Sequence, residues 1–391
     1  MIFTSRRNVL REKGSETEHK VAFVELFFDL VFVFAVTQTA HFLIENFSPL
    51  GGFKALIILL AVWWVWIFTS WVTNWMDPQK VEVRLMLFVL MLAGMVMSVA
   101  IPHAFDTTAL LFVSAYVFMQ LGRNIFMCWA LAQHHQGIYK NFVRISIWFL
   151  LSGALWFAGA LSDPEGRLYW WVAALALEYL SAAVYFYVPG LGRSTLEDWN
   201  ISGEHMAERC GLLMIIALGE SLLVSGSTFA HMAWTNATIV AFLSAFVSTV
   251  AMWWIYFSVS AEHAAHKIAS SNNPGQIARL GYTYIHILMV MGVVIVAAAD
   301  EFVLAHPEGH VDIKMLVACV GGPFAYLLGN LLFKRVVFNE YPRSHLAGLV
   351  ALAFLAAAAT LMTPITLSLT VTAILVLVGG WETVAVQRNM R

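Results

Sequence analysis

Long apolar runs joined by short polar connections set the pattern of this 391-residue chain. A helix needs about 20 mostly apolar residues to cross the hydrocarbon core of a bilayer. Twelve stretches come near that length, at roughly 21–44, 52–73, 83–101, 107–130, 142–161, 168–188, 206–228, 236–259, 279–298, 313–333, 345–361 and 364–386. They predict an all-α, polytopic membrane protein of about twelve transmembrane helices. No connection is long enough for a separate soluble domain.

The pattern also recurs within the chain. Val24-Glu25-Leu26-Phe27-Phe28-Asp29 opens the first stretch, and Ala207-Glu208-Arg209-Cys210-Gly211-Leu212 opens the seventh. Trp63-Trp64-Val65-Trp66 returns as Trp253-Trp254-Ile255-Tyr256, and Arg84-Leu85 as Arg279-Leu280. Leu121-Gly122-Arg123-Asn124 is answered by Leu328-Gly329-Asn330, and Glu178-Tyr179 by Glu382-Thr383. The separations grow from 183 to 190, 195 and about 205, as short loop insertions would produce. Six spans per repeat is an even number, so the repeats are expected to insert in the same direction. The expected division is a tail at 1–20, a first six-helix repeat at 21–188, a linker at 189–205 and a second repeat at 206–391.

Composition agrees with a membrane protein. Hydrophobic residues make up 60% of the chain and charged residues 12%, against about 25% charged in soluble domains. Residues 1–20 carry Arg6, Arg7, Arg11, Lys13 and Lys20 without an apolar run, so they do not read as a signal peptide. With the N-terminus inside, seventeen Lys and Arg fall in inner loops and tails, and only Lys54, Arg167 and Lys314 fall outside. That bias predicts both termini in the cytoplasm. The net charge of -2 and the lack of a basic face give no reason to expect nucleic acid. Cys128, Cys210 and Cys319 are widely spaced in or beside apolar runs and read as small core residues.

The candidate chemistry lies in the charges inside the spans. A charged side chain at the bilayer centre costs about 2.5–3.5 kcal/mol or more, so each such residue is either paired or working. They are Glu25 and Asp29 in span 1, Arg123 in span 4, Glu178 in span 6, Glu208, Arg209 and Glu220 in span 7, His286 in span 9 and Glu382 in span 12. Glu25 and Asp29 share a helical face that continues towards Gln38 and His41. In repeat register, Glu208 matches Glu25, Glu220 meets Thr37 and Ser221 meets Gln38. One reading makes Asp29, Glu25, Gln38, Glu220, Ser221 and Glu208 an ion or solute pathway near spans 1 and 7. Arg123, Glu178, Glu382 and Arg209 would then hold the acids in ion pairs. The alternative is that all of these specify helix assembly, through an Arg123–Glu178 or Arg123–Asp29 ion pair and a local Glu208–Arg209 arrangement.

Other motifs point nowhere strongly. Glu262-His263-Ala264-Ala265-His266 has its Glu outside the histidine pair, unlike a zinc protease. His134-His135 and the set His306, His310 and Asp312 read as solvated loops. Trp63, Trp64, Trp66, Trp71 and Trp75 read as interface anchors or core. Nothing suggests an enzyme, a metal or a cofactor.

The block Glu25-Leu26-Phe27-Phe28-Asp29-Leu30-Val31-Phe32-Val33, with Glu208-Arg209-Cys210-Gly211-Leu212 and Gly219-Glu220-Ser221, resembles the bacterial low temperature requirement A family. The resemblance covers essentially the whole chain and implies a multi-pass protein of the bacterial cytoplasmic (inner) membrane, with no settled activity. A more distant similarity links Phe27, Asp29, Val31, Phe32, Ala35 and Thr37 to the first pore-lining helix of the endosomal and lysosomal potassium-channel family. Phe28 stands where that family has Ser, and Leu212 stands where the second repeat would need Asp. The expected function is therefore an ion channel or ion-conducting transport protein, with monovalent cations or protons and the lipid bilayer as partners. A proton-coupled transporter of a small solute and a non-transporting stress or assembly protein are the alternatives, and a homodimer is left open.

Overall fold

The computed structural model describes residues 8–11, 20–132, 136–195, 202–257, 267–268 and 274–389. Arg6, Arg7, Lys13, His134-His135, the Glu262–His266 motif and Arg391 lie outside the described residues. The described chain forms twelve long helices. They are α1 (Phe23–Glu45), α2 (Pro49–Trp75), α3 (Val81–Ala100), α4 (Ala109–Leu131), α5 (Gln136–Leu161) and α6 (Pro164–Ala183). There follow α7 (Gly203–Ala230), α8 (Asn236–Phe257), α9 (Pro274–Ala278, Arg279–Ile285 and His286–Ala305), α10 (Ile313–Phe338), α11 (Arg343–Ala358) and α12 (Pro364–Asn389). Eleven are long and apolar enough to cross a membrane. The other, α6, has 20 residues, about 30 Å of helix.

Local sequence explains where the helices begin and end. Pro49, Pro164 and Pro364 stand at first helical positions, where the missing N–H costs nothing. Asp312 caps α10 by accepting from the backbone N–H of Met315 at 2.8 Å. Asn339 ends the same helix in the left-handed conformation, φ 60°. The turn after α6 needs positive φ at Gly190 (81°) and Gly192 (73°). The Arg144 guanidinium holds that turn through two bonds to the carbonyl of Leu191, 2.7 and 2.9 Å.

Several helices run further than the apolar runs alone indicate. The seventh begins at Gly203 and so takes in His205, which sequence reading assigned to the linker. The ninth continues to Ala305 and takes in Asp300. The tenth continues to Phe338 and takes in Lys334, counted from sequence as a loop cation. In each case a polar residue on the buried side of a helix lowers the local hydropathy and mimics a span end.

The chain divides into two compact units, Met1–Phe42 with Leu50–His205, and Leu43–Pro49 with Met206–Arg391. In the first unit α3, α4, α5 and α6 pack in sequence, and α2 is the most enclosed of the spans. Trp63, Trp64, Trp66 and Trp71 are buried there, so they fill the interior and are not interface anchors. On α3, Leu85, Phe88, Val89, Leu92, Met95 and Val99 form an outward apolar stripe suited to lipid. In the second unit α9 lies against α10, α8 against α12, and α11 against both α10 and α12.

The α9–α10 contact depends on glycine. A Cβ on Gly292 would stand 2.7 Å from the backbone N of Tyr326 and 2.8 Å from the carbonyl O of Gly322. One on Gly322 would stand 2.9 Å from the backbone N of Val296. Small residues let membrane helices approach backbone to backbone, and van der Waals packing then holds them. Gly292→Ala should therefore lower stability by about 1–3 kcal/mol, seen as a lower thermal midpoint in detergent. Gly52→Ala, where nothing lies within 4 Å of the new methyl, should not; equal midpoints for the two variants would contradict close packing.

Candidate functional site

Glu25 is fully buried at the start of α1. Its carboxylate accepts from Arg11 Nη2 at 3.2 Å and from the Ala22 backbone N–H at 2.9 Å, and His205 Nε2 lies 3.0 Å away. Arg11 also donates to the carbonyls of Thr73 and Met76 at 3.1 and 3.0 Å, acceptors left over at the end of α2. Asn74 completes the cluster through the Ser202 carbonyl and the His205 ring, 2.9 and 3.3 Å. Glu25 is thus a tie-point for four segments of the first unit. Its expected repeat partner, Glu208, is exposed, while the neighbouring Arg209 is buried.

Asp29, also fully buried, accepts from the Trp66 indole at 2.7 Å. Gln38 is half-buried further along α1. The expected ion pair of Arg123 with Glu178 or Asp29 is not formed directly. Arg123 instead donates to the Val65 carbonyl at 3.1 Å, to Thr69 Oγ1 at 3.0 Å and to Gln120 Oε1. Gln120 donates to Tyr116 Oη at 3.2 Å, and Tyr116 donates to Glu178, which also accepts from the Trp156 indole at 3.0 Å. Opposite charges on α4 and α6 are therefore joined through two neutral side chains. Spacing alone could not show this, because Gln120 and Tyr116 carry no charge to draw attention.

The second unit treats Glu382 differently. Its carboxylate accepts from Lys334 on α10 and lies 3.9 Å from His345 Nε2 on α11. Both glutamates thus sit on the last helix of their unit and meet partners from the two helices before it. Trp64 stacks on Tyr179, the residue after Glu178, at 4.1 Å. Trp254 donates to Thr383, the residue after Glu382, at 2.9 Å.

On α7, Glu220 is half-buried and Ser221 is buried. Ser221 Oγ points to Asp300 Oδ2 on α9 at 3.5 Å. Asp300 is 6% exposed and has no Lys, Arg or His within 4 Å among the described residues. Sequence reading missed it by ending the ninth span at 298. The signal was available: Val293, Val296, Asp300 and Val303 occupy one helical stripe, and all are buried. Two irregularities lie nearby in sequence. Arg279–Ile285 of α9 is π-helical, a form often found at functional sites, and α10 contains Pro323. Gly219, next to Glu220 on α7, lies within continuous helix.

Among the described residues no cluster of three or more His, Cys, Asp or Glu could hold a metal. Twelve long helices with buried charges held by hydrogen bonds or ion pairs, and with exposed apolar side chains, define a polytopic helical membrane protein. The chain belongs to the bacterial low temperature requirement A (LtrA) family, whose sequence profile matches residues 20–379. It is 38% identical over 387 residues to the uncharacterized protein RA0937 of Rhizobium meliloti (strain 1021), covering 98% of this chain and 93% of that one. No solved structure matches.

The two glutamates give opposite predictions. Lys334→Met strands a buried carboxylate and should cost about 3–5 kcal/mol, with Glu382→Gln restoring most of it. Arg123→Met should not be rescued by Glu178→Gln, because the lost bonds go to Val65, Thr69 and Gln120. Thermal midpoints of the single and double variants decide; full rescue at Arg123 would restore the direct ion-pair reading.

Proposed function

We propose that this protein carries a monovalent cation or a proton across the bacterial cytoplasmic membrane, as a channel or an ion-coupled transporter. The observation behind this reading is Asp300: a buried carboxylate in a membrane helix, faced by Ser221 and, among the described residues, without a cationic side chain within 4 Å. Such residues are costly in lipid and mark ion pathways and proton relays. By contrast Glu25, Glu178 and Glu382 are each engaged by donors of their own unit, which suits scaffold roles. In this reading the working part of α7 is Ser221, with Asp29 and Glu25 supporting the fold of the first unit.

The two units are read as repeats of six helices with both termini in the cytoplasm. The matching positions of Glu178 and Glu382, and of Trp64–Tyr179 and Trp254–Thr383, favour that reading. Coupled transport of a small solute is the second form, favoured by Pro323 and by the π-helical segment. Broken helices near the membrane centre are the usual way transporters expose backbone groups to ions.

The test is flux in proteoliposomes under separate Na⁺, K⁺ and H⁺ gradients. Wild type should pass one of them, and Asp300→Asn should reduce that flux at least tenfold, while Asp29→Asn should retain more of it. Absence of flux under all three gradients, or an unchanged Asp300→Asn rate, would leave a structural or assembly role as the better account.

A further inference from the structure

We propose that Asp300 is the charged ligand of a site for one partly dehydrated alkali cation, in a cavity lined by α8, α9, α10 and α12. Asp300 lines a cavity of about 20 Å³ together with Ser248, Cys319, Pro323, Ser368 and Thr372. A space of that size holds a single water-sized occupant, and Na⁺ and K⁺ are of that scale. The inference rests on the transport reading for its purpose.

Each of the four helices contributes a residue to the lining that can offer oxygen. The hydroxyls come from Ser248 on α8 and from Ser368 and Thr372 on α12. Ser368 and Thr372 are tied to α8: Ser244 Oγ lies 2.8 Å from Ser368 Oγ and 3.0 Å from Thr372 Oγ1. On α10 the lining residues are Cys319 and Pro323. Pro323 has no N–H to give to the carbonyl of Cys319, one turn earlier, so that acceptor loses its ordinary helical donor beside the cavity. Hard oxygen donors suit alkali and alkaline-earth ions and not the softer transition metals.

Charge selects among the hard cations. One carboxylate with neutral hydroxyl and carbonyl donors balances a single positive charge. A divalent ion would leave a net charge in low dielectric, and calcium sites recruit several carboxylates. Depth agrees with a transport role. Ser248, Pro323 and Thr372 lie roughly 12–18 Å along their helices, and Asp300 roughly 8 Å before the end of α9, at 1.5 Å per residue, which keeps all four inside a core about 30 Å thick. Ile365 N donates to the Pro307 carbonyl at 3.1 Å, fixing the start of α12 beside the α9–α10 connection.

Binding is tested apart from flux, by the thermal midpoint of the purified full-length protein in detergent in NaCl, KCl or choline chloride at matched ionic strength. A ligand that binds only the folded state raises its stability with the logarithm of concentration. The wild-type midpoint should climb with Na⁺ or K⁺ and stay flat with choline, and Asp300→Asn should abolish the climb. Pro323→Ala, which returns an N–H to the Cys319 carbonyl, should need roughly tenfold more salt for the same rise. Its midpoint in choline should be equal or higher, which shows that it folds. An equal rise in choline, no rise with either alkali cation, or a rise that survives in Asp300→Asn would overturn the site. A cation-specific rise in a protein that passes no ion would keep the site and remove the transport reading.

Discussion

A carboxylate taken out of water must find donors, a cation or a proton, because the hydrocarbon core supplies none of them. That requirement governs which helices of this protein meet. Glu25 gathers the segment at Arg11, the end of α2 and the first turn of α7. Asp29 fixes α1 to α2 through Trp66. Glu178 fixes α6 to α4 and α5 through Tyr116 and Trp156, and Glu382 fixes α12 to α10 through Lys334. Apolar packing alone discriminates poorly between helices in lipid, since lipid tails are as apolar as leucine. Polar tie-points of this kind give the arrangement its specificity.

Within that scheme Asp300 is the exception. Its neighbours are hydroxyls and a proline-interrupted helix, with Ser221 at the edge of hydrogen-bonding distance. A residue serving only assembly would gain from a lysine such as Lys334 or an indole such as Trp66. On the proposed reading, small and neutral neighbours leave room for an ion that comes and goes. The close backbone contact of Gly292 with Gly322 and Tyr326 gives this region a rigid frame, because α9 and α10 carry Asp300 and Pro323 respectively.

Much of the architecture was legible in the amino-acid sequence. The twelve apolar runs correspond to twelve helices, since a span is defined by length and hydropathy and both can be read locally. Helix ends were less legible. Lys334 and Asp300 looked like loop residues because each interrupts an apolar run, although each lies on a buried stripe. The importance of Glu25, Asp29, Glu178 and Glu382 followed from charge alone, but their partners did not. Tyr116, Gln120, Trp66, Trp156 and His205 are brought to them by tertiary packing, at sequence separations that no local pattern encodes. The pairing expected for Arg123 failed for the same reason, because neutral side chains can carry the connection between opposite charges.

The most direct measurement is the reactivity of the buried carboxyl groups towards a membrane-permeant carbodiimide, mapped by peptide mass spectrometry on the protein in native membranes. Carbodiimides attack carboxyl groups that can take up a proton and are not held by a permanent partner. Asp300 should be the modified carboxyl, with Na⁺ or K⁺ slowing the reaction, while Glu25, Glu178 and Glu382 stay unmodified. Modification of those three glutamates with Asp300 untouched would contradict the division between pinned and working carboxylates.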